Sequence, residues 1–361
     1  MSMVTLDNAL ADLRPHAESA GDASRGYSLL ERMALLNVSA VSVAVIEHGR
    51  ILEQTAGTRA ADDPTPADEG TAFAACSVSK AITAVMALRM VAQGQLALDE
   101  DVNTRLRSWR LADRKGERVA VTLRQLLTHT AGTNVHGAPG YDPAEKIPSA
   151  EEVFYGRFPS LTPAVVVEAP PGSSYAYSAG GYLVVQQLLS EVAERSFADV
   201  AQELVFAPLG MRRSRFGAPP DTNHAFAHVS MIRKHSPETD LAWPEQAAAG
   251  LWSTAGDLAR FGQALHRSYA GESDFLPRPL ALEALTRQTS HRDIGLGLHL
   301  QGTGAARRFG HTGAHLGWRA EVMMWLVGGH GLAVMLNNGY TGSEFKAEIV
   351  SALVRHRGWS L

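Results

Sequence analysis

The sequence predicts an α+β fold: an antiparallel sheet built from both chain ends, with a helical region inserted between them. Three observations carry this expectation. Short β-rich runs bounded by turn residues lie near both ends of the 361-residue chain. Apolar residues at helical spacing fill the middle, and regular strand–helix alternation is missing.

The elements follow in chain order. Residues 38–56 read NVSAVSVAVIEHGRILEQT, in which Val41, Val43 and Val45 alternate with small residues and His48-Gly49 punctuates two runs, the pattern of a hairpin. Residues 81–96 predict a helix with Ile82, Val85, Leu88 and Val91 on one face. Further helices are expected over 123–127, 182–193, 197–204 and 258–265, and the Pro- and Gly-rich stretch 134–174 reads as a long loop. Strands are expected over 294–300, 320–327 and 331–336, and a helix over 343–356. The whole chain, 1–361, is expected to act as one catalytic unit. In it 25–76 and 291–361 form an α/β subregion and 77–290 a mainly helical one.

Composition narrows the function classes. Hydrophobic residues make up 45% and charged residues 19%, which fits a globular chain with a large core. A single cysteine, Cys76, excludes an internal disulfide and a four-cysteine zinc site. The net charge of −4 offers no basic excess for nucleic-acid binding. The start, Met1-Ser2-Met3-Val4-Thr5-Leu6-Asp7, has no basic-then-apolar leader, and no apolar run approaches the ~20 residues of a membrane span. A cytoplasmic protein with no membrane partner is expected.

Three segments can carry chemistry. In Ser77-Val78-Ser79-Lys80, Ser77 and Lys80 fall on one helix face, one turn apart. Ser77 can be a nucleophile if a neutral Lys80 takes its proton, which requires burial or neighbouring positive charge to lower the lysine pKa. The alternative is a helix-capping serine beside a solvated lysine. In 171–182 (PGSSYAYSAGGY), Tyr177 precedes a helix in a turn-rich segment, where a phenol or phenolate can relay protons. Phe309-Gly310-His311-Thr312-Gly313-Ala314 opens a predicted strand with flexible Gly on both sides, leaving His311 and the Ala314 N–H available to a substrate oxygen; the alternative is a Gly-rich turn with an exposed His.

In this order and at this wide spacing, the three segments resemble the serine β-lactamase and penicillin-binding-protein superfamily. The class C β-lactamase-like branch, which includes carboxylesterases, is the most similar. Supporting segments are Leu126-Leu127-Thr128-His129-Thr130-Ala131-Gly132, Pro208-Leu209-Gly210-Met211, 249–258 (AGLWSTAGDL) and Asn337-Asn338-Gly339. The resemblance spans roughly residues 25 to 358 and implies a β-lactamase/transpeptidase-like fold. It implies that Ser77 is acylated, that Lys80 accepts its proton and that Tyr177 is the tyrosine of the Tyr-x-Asn element. It matches His311-Thr312-Gly313 to the Lys-Thr-Gly element, which makes Thr312 and Gly313 substrate-binding candidates. It also implies an oxyanion hole from the Ser77 and Ala314 N–H groups.

Two departures matter. Ala179 stands where the family has Asn, and His311, charged only partly near neutral pH, stands where it has Lys. Both point away from β-lactams and D-Ala peptides and toward a small ester or uncharged acyl substrate. Trp252 and Trp318 are candidates for pocket walls or for core.

Other readings compete. Ser178 lies in a near match to the Gly-x-Ser-x-Gly elbow, but Pro170-Pro171-Gly172-Ser173 stands where the elbow needs a strand. Cys76 is a candidate thiol nucleophile or a small buried residue. His224 with His228, and His311 with His315, have a spacing of four but lack the Glu of His-Glu-x-x-His, so no metal or other cofactor is expected. An acyltransferase would use the same acyl-enzyme, as would a β-lactamase or D-amino-acid peptidase. A binding protein that kept the fold without catalysis is the remaining class.

Overall fold

In a computed structural model the described residues are 6–15, 22, 24–220, 223–225 and 241–361. Most of Met1–Asp7 and all of His228 lie outside them. The main sheet has six strands: β1 (Ala40–Glu47), β2 (Arg50–Gly57), β6 (His299–Gln301), β7 (Arg308–His315), β8 (Trp318–Trp325) and β9 (Gly331–Leu336). Their order is β2-β1-β9-β8-β7-β6, antiparallel throughout, so strands from the two chain ends meet at the β1–β9 pair. A small second sheet pairs β3 (Phe73–Ala74) and β4 (Arg215–Phe216) with a central β5 (Leu251–Ser253).

The expected hairpin is β1–β2, paired from Ala40↔Gly57 to Glu47↔Arg50. His48 and Gly49 both take positive φ (50° and 77°), the two-residue turn that matches strand twist. The period-two pattern of β1 sorts its side chains onto two cores. Val41, Val43 and Val45 pack with Phe345, Ile349 and Leu353 of the Gly342–Arg357 helix, while Ala40, Ala44 and Ile46 join the core on the opposite face. There the Ala255–Ala270 helix lies across the sheet. Gly262 permits this close approach, because a Cβ would come within 2.8 Å of Met324 Cγ.

The expected helices are present, 123–127 with the bounds expected and the others with shifted ends. The Val78–Ala92 helix begins at Ser77, and the Ala179–Ala193 helix begins at Ser178. The stretch 134–174 is loop except for the short Ala150–Phe154 helix. Two strand expectations need correction. Of 294–300, only His299 and Leu300 are strand; Gly297 turns the chain with φ +74° against Ala84 of the Val78–Ala92 helix. The segment 309–314 is no turn but the body of β7, paired with both β6 and β8. Its glycines are there for close approach, since a Cβ at 310 would collide with the Val322 carbonyl. No helix among the described residues is long and apolar enough to cross a membrane.

Candidate active site

The centre of the site is the start of the Val78–Ala92 helix. The chain leaves β3, its Ala75 N–H donating to the Leu251 carbonyl of β5 at 2.8 Å. Cys76 then turns it in a left-handed conformation (φ 50°), a strained position for a non-glycine residue. Ser77 follows as helix cap, with no side-chain capping bond to occupy its hydroxyl. Ser79 fixes this turn by accepting from Leu251 N–H at 3.0 Å and donating to the Cys76 carbonyl.

One turn on, Lys80 is 2% exposed. Its Nζ lies 3.3 Å from Ser77 Oγ and 2.8 Å from the Ala248 carbonyl. That carbonyl belongs to the short Gln246–Ala249 helix, which also gives Ala247 O to Thr83 Oγ1 at 3.1 Å. Burial lowers the Lys80 pKa to about 7, against opposing effects of Cys76 and Glu245. Lys80 is therefore substantially neutral at physiological pH, the state a proton acceptor needs.

Tyr177 closes the triangle. The Ser77 side chain is close enough to act on its hydroxyl, and Lys80 Nζ lies 4.8 Å from its ring centroid. Burial pushes its pKa up to about 12, so of the phenol and phenolate forms the phenol is present near neutral pH. Tyr177 is held by His129, whose ring centre is 4.3 Å away and whose Nδ1 accepts the Ser178 N–H at 3.1 Å. Burial, reinforced by Lys80 and His299, holds His129 well below the usual histidine range, so it is neutral with its proton on Nε2.

Strand β7 forms the facing edge and packs against the Val78–Ala92 helix. Gly313 makes the contact: a Cβ there would collide with the Ala75 carbonyl, so only glycine lets β7 reach the turn that carries Ser77. Thr312 is half-buried beside it and Ala314 is exposed. His311 is 3% exposed, with its Nδ1 2.7 Å from the Thr312 carbonyl and its ring stacked on His299 at 4.3 Å. Burial, then His299 and Lys80, hold its pKa well below the usual range. His311 is thus neutral, which replaces the expected partial charge. His299 is pushed down to about 4 by burial, with Arg292 and Lys80 contributing.

The structure gathers Ser77, Lys80 and Tyr177 by direct contact and brings β7, with His311 and Gly313, against them. It does not place Trp252 and Trp318 there. Both are 0% exposed and meet each other edge-on at 5.5 Å in the core, so they wall no pocket. Ser178 is a helix cap: it accepts the Gly181 N–H at 2.9 Å and donates to the Asn134 carbonyl at 2.6 Å, which removes it as a nucleophile. Burial pushes the Cys76 thiol up to about 12, so it is inert. His311 and His315 lie four residues apart on a strand, ~13 Å of rise rather than one helical turn, so the pair cannot share a metal. Ala179 is 1% exposed at the start of its helix.

Three residues were missed by sequence reasoning. His129 and His299 sit inside segments the sequence singled out, yet nothing local marks them. Glu245 is 1% exposed, its carboxylate oxygens have no side-chain partner among the described residues, and burial raises its pKa to about 7 against the effects of its own backbone N–H and of Lys80. Only a mid-chain acid before an alanine run signalled it.

Comparison with known proteins bears on the family and the fold. The Beta-lactamase family model matches residues 30–355. Esterase EstB of Burkholderia gladioli is 30% identical over 77% of this chain and 76% of its own length. A D-aminopeptidase of Brucella anthropi is 27% identical over 77% of this chain, which spans only 52% of that longer protein. Penicillin-binding protein 4 of Amycolatopsis lactamdurans is 24% identical over 88% of this chain and 85% of its own. Among solved structures, the D-amino acid amidase of Ochrobactrum anthropi SV3 superposes with a TM-score of 0.72 at 20% identity, over 98% of this chain and 99% of that one. A class C β-lactamase superposes with a TM-score of 0.68 at 19% identity, over 90% of this chain and 94% of that one. With its sheet built from both ends and a Ser-x-x-Lys helix start facing β7, the chain belongs to the Beta-lactamase family.

Proposed function

We propose that this protein is a serine hydrolase that works through an acyl-enzyme, a carboxylesterase on small esters acting as one catalytic unit. The observation that carries this reading is the buried Lys80, 3.3 Å from Ser77 Oγ, with a pKa brought down to about 7. In acylation Ser77 Oγ attacks the ester carbonyl and its proton passes to Lys80 Nζ. The negative oxygen forms between the N–H groups of Ser77 and Ala314. In support, no acceptor among the described residues is bonded to the Ser77 N–H. The C–O bond to the alcohol then breaks, and Lys80, through the Tyr177 phenol, protonates the departing oxygen. Water then attacks the acyl carbonyl as its proton passes along the same route to Lys80; the acyl–Oγ bond breaks, and Lys80 returns the proton to Ser77 Oγ. His311, neutral and stacked on His299, offers a hydrogen bond rather than a charge, with Thr312 and Gly313 along the same strand edge.

Ala179 in place of Asn, and a neutral His311 in place of Lys, favour an uncharged ester over a β-lactam. A second reading is hydrolysis of D-amino-acid amides or peptides, favoured by the amidase superposition over nearly the whole chain. Acyl transfer to an alcohol or amine uses the same intermediate. A cytoplasmic location is part of the proposal; the lone buried cysteine needs no oxidising compartment. The test is hydrolysis of a short-chain p-nitrophenyl ester, and of a D-amino-acid p-nitroanilide, by the wild type and Ser77→Ala. Ester turnover that vanishes in the variant is expected. Turnover that survives it would sink the proposal, and faster anilide turnover would select the second reading.

A further inference from the structure

The proposed mechanism leaves one buried ionisable group without a task. Glu245 is almost fully buried, and among the described residues no group other than its own backbone N–H faces its carboxylate. Burying an acid in this state is costly unless a nearby charge compensates. Its backbone is firmly held. Gln186, on the helix that follows Tyr177, donates to the Pro244 carbonyl and accepts from Ala247 N–H, both at 2.9 Å. Ala242 exchanges a pair of backbone hydrogen bonds with Tyr141. The Glu245 carbonyl receives the Ala248 and Ala249 N–H groups, and the Ala248 carbonyl in turn receives Lys80 Nζ. A single turn of backbone therefore joins the acid to the group that holds the lysine.

We propose that the Glu245 carboxylate is the charge partner of the Lys80 ammonium, a positioning residue that acts through the base and does not touch substrate. The inference rests on the reading of Ser77 and Lys80 given above. The other titratable groups around Lys80 cannot take this role. Cys76, Tyr177 and Tyr182 all have their pKa values raised by burial and stay protonated, and His129, His299 and His311 stay neutral. Tyr141, which senses Glu245, is also raised. Among the described residues at the site, Glu245 is thus the group that can place negative charge near Lys80 at neutral pH. Lys80 and Glu245 each stabilise the charged form of the other, against the desolvation that dominates both. When the Ser77 proton reaches Lys80, an ammonium forms in a buried position, and the carboxylate offsets part of the desolvation cost. The proton then returns to the leaving oxygen.

The test is the pH profile of kcat/KM on a neutral short-chain ester for wild type, Glu245→Gln and Glu245→Asp. The acid limb reports loss of neutral Lys80. Removing the negative charge weakens proton binding at Lys80, so Glu245→Gln should move this limb to lower pH by about 1 unit. Glu245→Asp should give an intermediate limb. A purely structural role would lower activity at every pH and leave the limb in place, and that result overturns the inference. Should Glu245→Gln not fold, Glu245→Met, which also removes the charge, carries the test, and an unmoved limb overturns it equally. Ser77→Ala is assayed alongside. An unmoved limb with activity that depends on Ser77 defeats the role of Glu245 alone, whereas activity that survives Ser77→Ala defeats the underlying reading.

Discussion

Replacing Lys80 by Met should make the protein more stable while removing its activity. The free lysine titrates at 10.5, and the folded environment lowers this to about 7. Between these values the unfolded chain binds more protons than the folded one, so lowering the pH favours unfolding. The penalty is nearly full at pH 7 and fades as the pH approaches 10.5. It amounts to roughly 4 kcal/mol at pH 7 and roughly 1.4 kcal/mol at pH 9.5. Met fills a similar volume and carries no charge, but it leaves the Ala248 carbonyl without its 2.8 Å donor, at a cost of about 1–3 kcal/mol. That cost does not vary with pH. Glu245, left without a cation, is more costly to ionise, so the gain in the variant shrinks further as pH rises. Urea denaturation of both proteins at pH 7 and 9.5 therefore isolates the lysine. The stability gain of Lys80→Met over wild type should be larger at pH 7 by about 3 kcal/mol or more. An equal gain at both pH values would mean that Lys80 is protonated in the fold and cannot be the base, and the proposed mechanism would fail with it.

Tyr177→Phe should lower kcat for ester hydrolysis by about 10²–10⁴, the usual contribution of a general acid–base group, while leaving thermal stability nearly unchanged. A loss below tenfold would show that leaving-group protonation bypasses the phenol. On the far side of the sheet, Arg32 and Glu348 form a two-bond ion pair (2.9 and 2.5 Å) with both side chains fully buried. Glu348→Ala removes the buried carboxylate that makes both of these bonds to Arg32 and should destabilise the fold by about 3–5 kcal/mol in urea denaturation, without changing the pH profile of whatever activity remains.

What the sequence made legible follows from how local each signal is. The β1–β2 hairpin could be read because alternation and a His-Gly turn lie within 20 residues of one another. Ser77 and Lys80 could be paired because a spacing of three on a helix fixes their geometry. The pattern of strands at both ends conveyed the sheet, but the extent of β7 was not legible. Its glycines look like turn residues, and only the neighbouring Val322 and Ala75 carbonyls show that they serve close packing inside a strand. His129, His299 and Glu245 were invisible for a related reason. Each matters through contacts with residues far away in sequence, and a histidine's protonation depends on burial that no short motif encodes. Trp252 and Trp318 illustrate the same gap: a large aromatic beside a motif can line a cleft or fill the core, and here the second sheet packs both inward.

The central claim is that Ser77 carries a covalent acyl group during turnover. Intact-protein mass spectrometry of wild type and Ser77→Ala, after brief exposure to a short-chain ester and separately to a serine-directed phosphonate, tests it most directly. The account predicts one adduct per chain in the wild type, mapped by peptide sequencing to Ser77, and none in the variant. An adduct on Ser178 or Cys76, or one that persists in Ser77→Ala, would contradict it.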